Sequence, residues 1–310
     1  MTEIPLSIEA VCGCVPATVV DNRALLAELL GAAKAGAVVK STGFPFRRVA
    51  APGATVYDLA LPAARRALDG VAPATVGGIV AVTFSAPDRF PALAIRLHHA
   101  LGLPADAAAF DLSLACSGYP YGLHAAAQLA AATGKRVLLV DGDVQSAHVD
   151  VSDANTLAVM SDAATATLLA PGGDPASFAF FTDGAGADTL RCGADGKIRM
   201  DGFGVFRFVA GAVSQFLKEF CAAATPPALF VPHQANMYMV RQLAKSLGLE
   251  PQLRTSGERF ANPGSCSVPL TLASTEGAGR ALLAGFGAGL SAAAALVTIP
   301  PTLRRSLVEA

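Results

Sequence analysis

The chain contains no tryptophan, few charges and no run of basic residues. Lys and Arg number 23 against 24 Asp and Glu, a net charge of −1, and no basic stretch is interleaved with aromatics. A nucleic-acid partner needs such a patch to meet phosphates, so that class of function is excluded. The opening stretch MTEIPLSIEAV lacks the basic start of a secretory signal and carries Glu3 instead, which points to the cytoplasm by default. Cysteine is scattered, at 12, 14, 116, 192, 221 and 266. The C-x-C at 12–14 has no second pair nearby, so a zinc site is not supported and no metal is expected. Most of these thiols should be small buried apolar residues.

Charge is absent altogether from residues 281–300, ALLAGFGAGLSAAAALVTIP, a run long enough to cross a bilayer. Gly285, Gly287 and Gly289 cluster at its centre, and Pro300 and Pro301 follow. Two buried strands joined by a glycine turn fit that pattern, and no membrane insertion is expected.

What is present is a rhythm. With 310 residues, 53% of them hydrophobic, the chain can bury a large core as one domain or two fused halves. VGGIVAVTFS reads as a buried strand, PALAIRLHHALGL as a helix, AAFDLSL as a strand, YPYGLHAAAQLAAATGK as a helix and RVLLVDGD as a strand. AATATLLAP and FAFFTDG read as two more strands, paired across the GGDP turn. The rhythm then restarts: a helix over about 204–224, the strand ALFVPHQ, the helix NMYMVRQLAKSLGL, a helix from VPLTLAS onward and the glycine-centred strand pair. Apolar strands separated by amphipathic helices predict an α/β fold. Two similar halves, 1–175 and 176–310, each with a central mixed sheet, predict a five-layer α/β/α/β/α stack that acts as one catalytic unit.

Cys116 stands where a strand hands over to a helix. Unpaired N–H groups and the positive end of the helix dipole at such a joint lower a thiol's pKa, and Gly118 leaves room for a substrate to approach. The joint is where a nucleophile would be presented. Of the five histidines, His98, His99 and His124 fall in helix patterns and His148 in a polar loop. His233 follows the strand ALFV and Pro232, at the kind of strand end where α/β sites are built. Asn262, in RFANPGS, precedes another helix. Cys, His and Asn at corresponding strand-to-helix edges form a candidate catalytic set.

DLSLACSG, VPHQAN and RFANPGSCSVP, in that order and spacing, resemble the β-ketoacyl-acyl carrier protein synthase III family of the thiolase superfamily. STGFPFRRVAAPGATV, MDGFGVFRF and GFGAG extend the resemblance over nearly the whole chain. It implies a thiolase-like fold, a homodimer and a two-step acyl transfer with no cofactor. Coenzyme A or acyl carrier protein phosphopantetheine thioesters would be the substrates. Cys116 would take the acyl group, and a malonyl-type thioester on acyl carrier protein would lose CO2 and attack it. His233 and Asn262 match the residues whose N–H groups stabilise the enolate, and the backbone N–H groups of Cys116 and Ala288 the oxyanion hole. Phe90, Met200, Phe203, Phe206 and Asn236 are the pocket candidates, Phe90 at a position that reaches into the partner's acyl pocket. Arg241 and Lys245 are the candidates for docking the acidic carrier, with Tyr238 where the family often has Arg. Ala37 and Ser41 replace the Trp and Arg that clamp the CoA nucleotide, and Ala154 replaces a second Arg, two residues before Thr156. Whether the donor is CoA-borne or carrier-borne is therefore left open. A specialised or lipid pathway fits this reading. The alternatives are an acyltransferase of the same fold acting on an O, N or other carbon nucleophile without decarboxylation, and a non-catalytic heterodimer subunit.

Overall fold

The computed structural model of the protein describes residues 2–222 and 225–310. Its strands, in chain order, are β1 (Thr2–Val15), β2 (Val19–Asp21), β3 (Phe46–Arg48), β4 (Val76–Val82), β5 (Ala108–Leu112), β6 (Arg136–Val144), β7 (Asp162–Pro171), β8 (Asp174–Thr182), β9 (Leu190–Cys192), β10 (Ile198–Met200), β11 (Leu229–Pro232), β12 (Gly279–Gly287), β13 (Ser291–Ile299) and β14 (Arg304–Glu309). Ten of them form one hydrogen-bonded ladder, β11-β12-β13-β8-β1-β7-β6-β4-β5, with β14 alongside β1.

The ladder has two arms of the same design. From the middle outward, β1 pairs antiparallel with β7, β7 antiparallel with β6, and then β6, β4 and β5 run parallel. On the other side β8 pairs antiparallel with β13, β13 antiparallel with β12, and β12 parallel with β11, from which Phe230 bridges in parallel to Leu253. The arms meet where Thr2–Leu6 of β1 pairs antiparallel with β8.

Helices complete five layers. Val56–Ala67 and Leu93–Ala100 cover the outer face of the first arm. Gly118–Thr133 and Ser267–Ser274 lie between the arms, with Tyr119, Leu123, Val268 and Leu272 in one core with residues of both sheets. Residues 202–222 and the helix Met237–Leu247 cover the second arm. The patterning explains the placement. Strand β4 is buried along its whole length and β12 and β13 nearly so, as strands covered on both faces must be. The outer helix Val56–Ala67 buries Val56, Leu59, Ala60, Ala63, Ala64 and Ala67 as one stripe, starts with a Thr55–Asp58 capping box and ends on Arg65 and Arg66.

Two expectations change. Strands β7 and β8 are not neighbours; β1 lies between them and pairs with both. The inserted strand buries Ile4, Leu6 and Ile8 in strict alternation, a strand pattern interrupted in the sequence by Pro5. The helix expected over about 204–224 is a helix Gly202–Phe208, a wider π turn Val209–Val213 and a helix Ser214–Ala222; the expected end at 224 lies outside the described residues. The uncharged run 281–300 is the antiparallel pair β12–β13, and among the described residues no helix is long and apolar enough to cross a membrane.

Candidate active site

Cys116 follows β5 and stands two residues before the helix Gly118–Thr133, buried. A Cβ at Gly287 would lie 2.7 Å from the Cys116 Cβ and 3.2 Å from its Sγ, so only glycine leaves the sulfur its place. Behind it, Ser117 Oγ meets Ser291 Oγ at 2.7 Å, and Ser291 donates to the Ala288 carbonyl at 2.7 Å, which ties the 116 loop to the 287–289 turn. Gly118 serves packing rather than substrate access: a Cβ there would lie 2.5 Å from Val82. The lowered thiol pKa expected at a helix start is also overturned. Burial pushes Cys116 up to about 12 and the Asp143 carboxylate adds to it, while the N–H groups of Cys116 and Ala288 pull the other way. Desolvation outweighs the backbone donors, so the resting sulfur is a thiol.

His233 leaves the end of β11 with its own N–H bonded to the Ala284 carbonyl at 2.7 Å. Its Nδ1 lies 2.8 Å from Ser267 Oγ, which accepts the Gln234 N–H at 3.2 Å. The serine hydroxyl is placed to donate to Nδ1, and in that tautomer Nε2 carries the ring proton. Burial lowers the imidazole pKa to about 4, opposed by the Gly264 carbonyl, so the ring is neutral. Asn262 is held the same way: Oδ1 accepts the Gly264 N–H at 2.9 Å, which leaves Nδ2 as the free end of the amide. The residue before it, Ala261, has φ 51° and ψ −135°, a strained conformation for a side chain with a Cβ.

The three groups share a cavity of about 400 Å³, lined also by Met160, Leu190, Met200, Phe203, Asn236, Phe286 and Gly287. Asn236 lines it while its Oδ1 caps the helix Met237–Leu247 through Met239 N–H at 2.8 Å. Phe203, 70% exposed, stands at its mouth. Phe206 does not line it. One helical turn on, it stacks on Tyr238 with centroids 6.3 Å apart, over a separate hollow of about 210 Å³. Phe90 is 85% exposed and lines neither this cavity nor the hollow that adjoins it. Ala288 lines a second, adjoining hollow that shares Cys116, Met160 and Leu190 with the first. Three of the four other histidines are engaged elsewhere: His98 Nε2 meets the Pro104 carbonyl, His148 Nδ1 the Gly196 carbonyl, and His124 sits against Phe178 and Phe180; His99 lies on the helix Leu93–Ala100. All six cysteines are free thiols, and no group of three or more His, Cys, Asp or Glu side chains among the described residues could hold a metal ion.

The family model for 3-oxoacyl-[acyl-carrier-protein] synthase III matches residues 110–184, and that for its C-terminal part residues 227–299. A β-ketoacyl-[acyl-carrier-protein] synthase III of Streptomyces coelicolor is 35% identical over 302 residues, 92% of this chain and 91% of that protein. The chain belongs to the β-ketoacyl-acyl carrier protein synthase III family. A solved 3-oxoacyl-(acyl-carrier protein) synthase of Burkholderia xenovorans is similar over 100% of this chain and 98% of its own, with a TM-score of 0.95 and 29% identity. An acetoacetyl CoA synthase of Streptomyces sp. strain CL190 is 31% identical over 335 residues, 96% of this chain and 99% of that protein. This synthase III is thus a condensing acyltransferase with the thiolase fold.

The mouth of this synthase III is poor in cations. Val38, Ser41, Thr42 and Asn155 line it; Ser41 turns its hydroxyl back to the Val38 carbonyl at 3.0 Å, and Ala37 is exposed beside it. Of the two docking candidates, Arg241 is paired with Glu258 at 3.0 Å, and Lys245 is exposed. Arg207, which the sequence reading passed over, is exposed and lies over the Phe203 ring, 5.7 Å from its centroid. Ser267 and Asp143 were missed as well. The serine was legible only as part of SCSVP; the carboxylate looked like one more residue of a buried strand.

Proposed function

We propose that this synthase III performs a decarboxylative condensation in two steps on one sulfur. In the first, Cys116 Sγ attacks an acyl thioester; the sulfur–acyl bond forms, the donor's carbon–sulfur bond breaks, and the thiol proton leaves with the departing thiol. The N–H groups of Cys116 and Ala288, already aimed at the sulfur, receive the charge that develops on the carbonyl oxygen. In the second, a malonyl-type thioester on acyl carrier protein loses CO2. Its enolate oxygen is met by His233 Nε2–H and Asn262 Nδ2–H, its carbon attacks the acyl-enzyme, and the Cys116 sulfur departs to give a β-ketoacyl thioester. The observation that carries this reading is that His233 Nδ1 is engaged by Ser267 and Asn262 Oδ1 by Gly264 N–H, within the cavity that holds the sulfur, so that Nε2 and Nδ2 are left for a substrate. Mainly apolar walls keep water from quenching the carbanion.

The reaction needs no resident cofactor; the thioesters are substrates. A homodimer is supported by β5, the last strand of the ladder, which pairs with β4 on one side only among the described residues and exposes Phe110, and by the exposed Phe90, which would enter the partner's acyl hollow. Arg207 and Lys245 are the cations that would meet the acidic carrier protein. The unpaired thiols agree with a cytoplasmic enzyme, and the two arms with halves divided near 175. The test is incubation with acyl thioesters and malonyl-carrier protein. Acyl mass on the Cys116 peptide, released CO2 and a β-ketoacyl thioester are expected. Acyl transfer to oxygen or nitrogen without CO2 would replace this reading with that of a plain acyltransferase.

A further inference from the structure

Adjoining the main cavity, and sharing Cys116, Met160 and Leu190 with it, lies a second hollow of about 210 Å³, lined also by Phe84, Ile198 and Ala288. One wall is polar. Gln145 lines the hollow and is itself 2% exposed. Its Nε2 donates to the Ser161 carbonyl at 2.9 Å and to the Asn262 carbonyl at 2.8 Å. A backbone carbonyl can only accept, so the orientation of this amide is fixed: both hydrogens are spent on the protein and Oε1 is the atom left over. No group among the described residues donates to Oε1, and the atom is not sealed off by its neighbours, so it opens on the hollow.

We infer that this hollow selects acyl chains that carry a hydroxyl, read by Gln145 Oε1. The inference rests on the two-step reading, in which the acyl group on Cys116 occupies this space. An apolar chain of the same length would leave a fixed acceptor dry; a hydroxyl supplies the missing donor, and sites built this way discriminate against the analogue without it. The hollow holds roughly seven water-sized groups, enough for a chain of several carbons. A carboxylate-tipped chain fits worse, because Oε1 would repel it and the exposed Arg191 at the open end is turned to Asp188 at 3.4 Å.

The test is single-turnover acylation of the whole protein, followed by intact mass, with butyryl, 3-hydroxybutyryl and 4-hydroxybutyryl thioesters of pantetheine. At least one hydroxylated donor is expected to exceed butyryl about tenfold in kcat/KM. Gln145→Met, which keeps the length and removes the acceptor, should bring that ratio to within about twofold of unity. Because Gln145 also holds the Asn262 carbonyl, the variant can be slower with every donor; the ratio between donors within one protein is insensitive to that general loss. Equal or better use of butyryl by the unaltered protein, or a ratio unchanged in Gln145→Met, would overturn the inference and leave Oε1 as a water site. Absence of acyl mass on Cys116 with every donor would instead overturn the two-step reading itself.

Discussion

At the end of β5 the protein holds a thiol that burial pushes up to about 12; past the end of β11 it holds an imidazole that burial pushes down to about 4. The cause is the same in both, since a dry site penalises whichever form is charged. The surroundings differ. Around the sulfur, backbone N–H groups of Cys116 and Ala288 point inward and wait for negative charge. Around His233 and Asn262, Ser267 engages the imidazole Nδ1 and the Gly264 N–H occupies Asn262 Oδ1, which leaves the Asn262 Nδ2 free. Cys116, from the first arm, thus meets N–H groups of both arms, its own and that of Ala288 in the β12–β13 turn, while His233 and Asn262 form a neutral pair facing it. On the proposed two-step reading, acyl transfer and decarboxylation would use different hydrogen-bonding groups within one chamber and could be damaged separately.

The largest separation should come from Cys116→Ala. Acyl mass and condensation are expected to fall by about a thousandfold or more, while CO2 release from a malonyl thioester persists. Loss of both activities would merge the two sites into one. Ser267→Ala tests how the second site is held. Without the hydroxyl at Nδ1 the imidazole is free to take the wrong tautomer, and CO2 release is expected to drop about tenfold, equivalent to about 1.4 kcal/mol, with acylation changed less than about twofold. Equal loss in both half-reactions would make Ser267 a packing residue.

Asp143→Asn sharpens the sulfur side. The carboxyl, pushed up to about 7 by burial against the donors of Ser85, Thr83 and Phe84, also raises the Cys116 thiol. Removing its charge should lower the thiol pKa and speed alkylation by iodoacetamide at a given pH above 7. Stability gives a second readout. A carboxyl raised in the folded state contributes most below its unfolded value near 4, and that contribution is lost as pH rises through about 7. The Asn variant should therefore gain on the unaltered protein between pH 4 and 8, by a few kcal/mol at most. His233 acts with the opposite sign: its pKa is lowered, so its contribution is present above pH 6.5 and lost as pH falls through about 4. The smallest effect is expected from Ala261→Gly, which relieves the strained backbone beside Asn262. The gain should be about 1 kcal/mol in denaturant unfolding, reduced by the freer unfolded chain. A loss of stability would show that packing of the Ala261 methyl group outweighs the strain.

Much of this site could be read from the chain because Cys116 and His233 follow strands, where local pattern and motif coincide; Asn262, expected at a similar edge, instead follows the short helix Gly257–Phe260 and was found by its motif alone. The α/β rhythm was equally legible, since β4, β12 and β13 are continuous apolar runs. What could not be read is whatever depends on partners distant in sequence. Ser267 meets His233 across 34 residues, Gln145 meets Asn262 across 117, and Asp143 meets Thr83 across 60. The direction of the thiol pKa was lost for the same reason: a helix start is local, but desolvation is set by the whole fold. Phe206 was assigned to the wrong side because it lies three residues from Phe203 on a short helix that runs into a π turn, where the ring turns to Tyr238. Strand β1 was hidden by Pro5, which its burial pattern tolerates between Ile4 and Leu6.

The division of labour is tested most directly by His233→Ala, with self-acylation of Cys116 and CO2 release from malonyl-carrier protein measured on the same preparation. CO2 release is expected to fall by about a hundredfold or more, with acylation within about tenfold of the unaltered protein. If acylation fell as far as decarboxylation, the imidazole would be serving as the base for the sulfur, and the separation between the two half-reactions would be wrong.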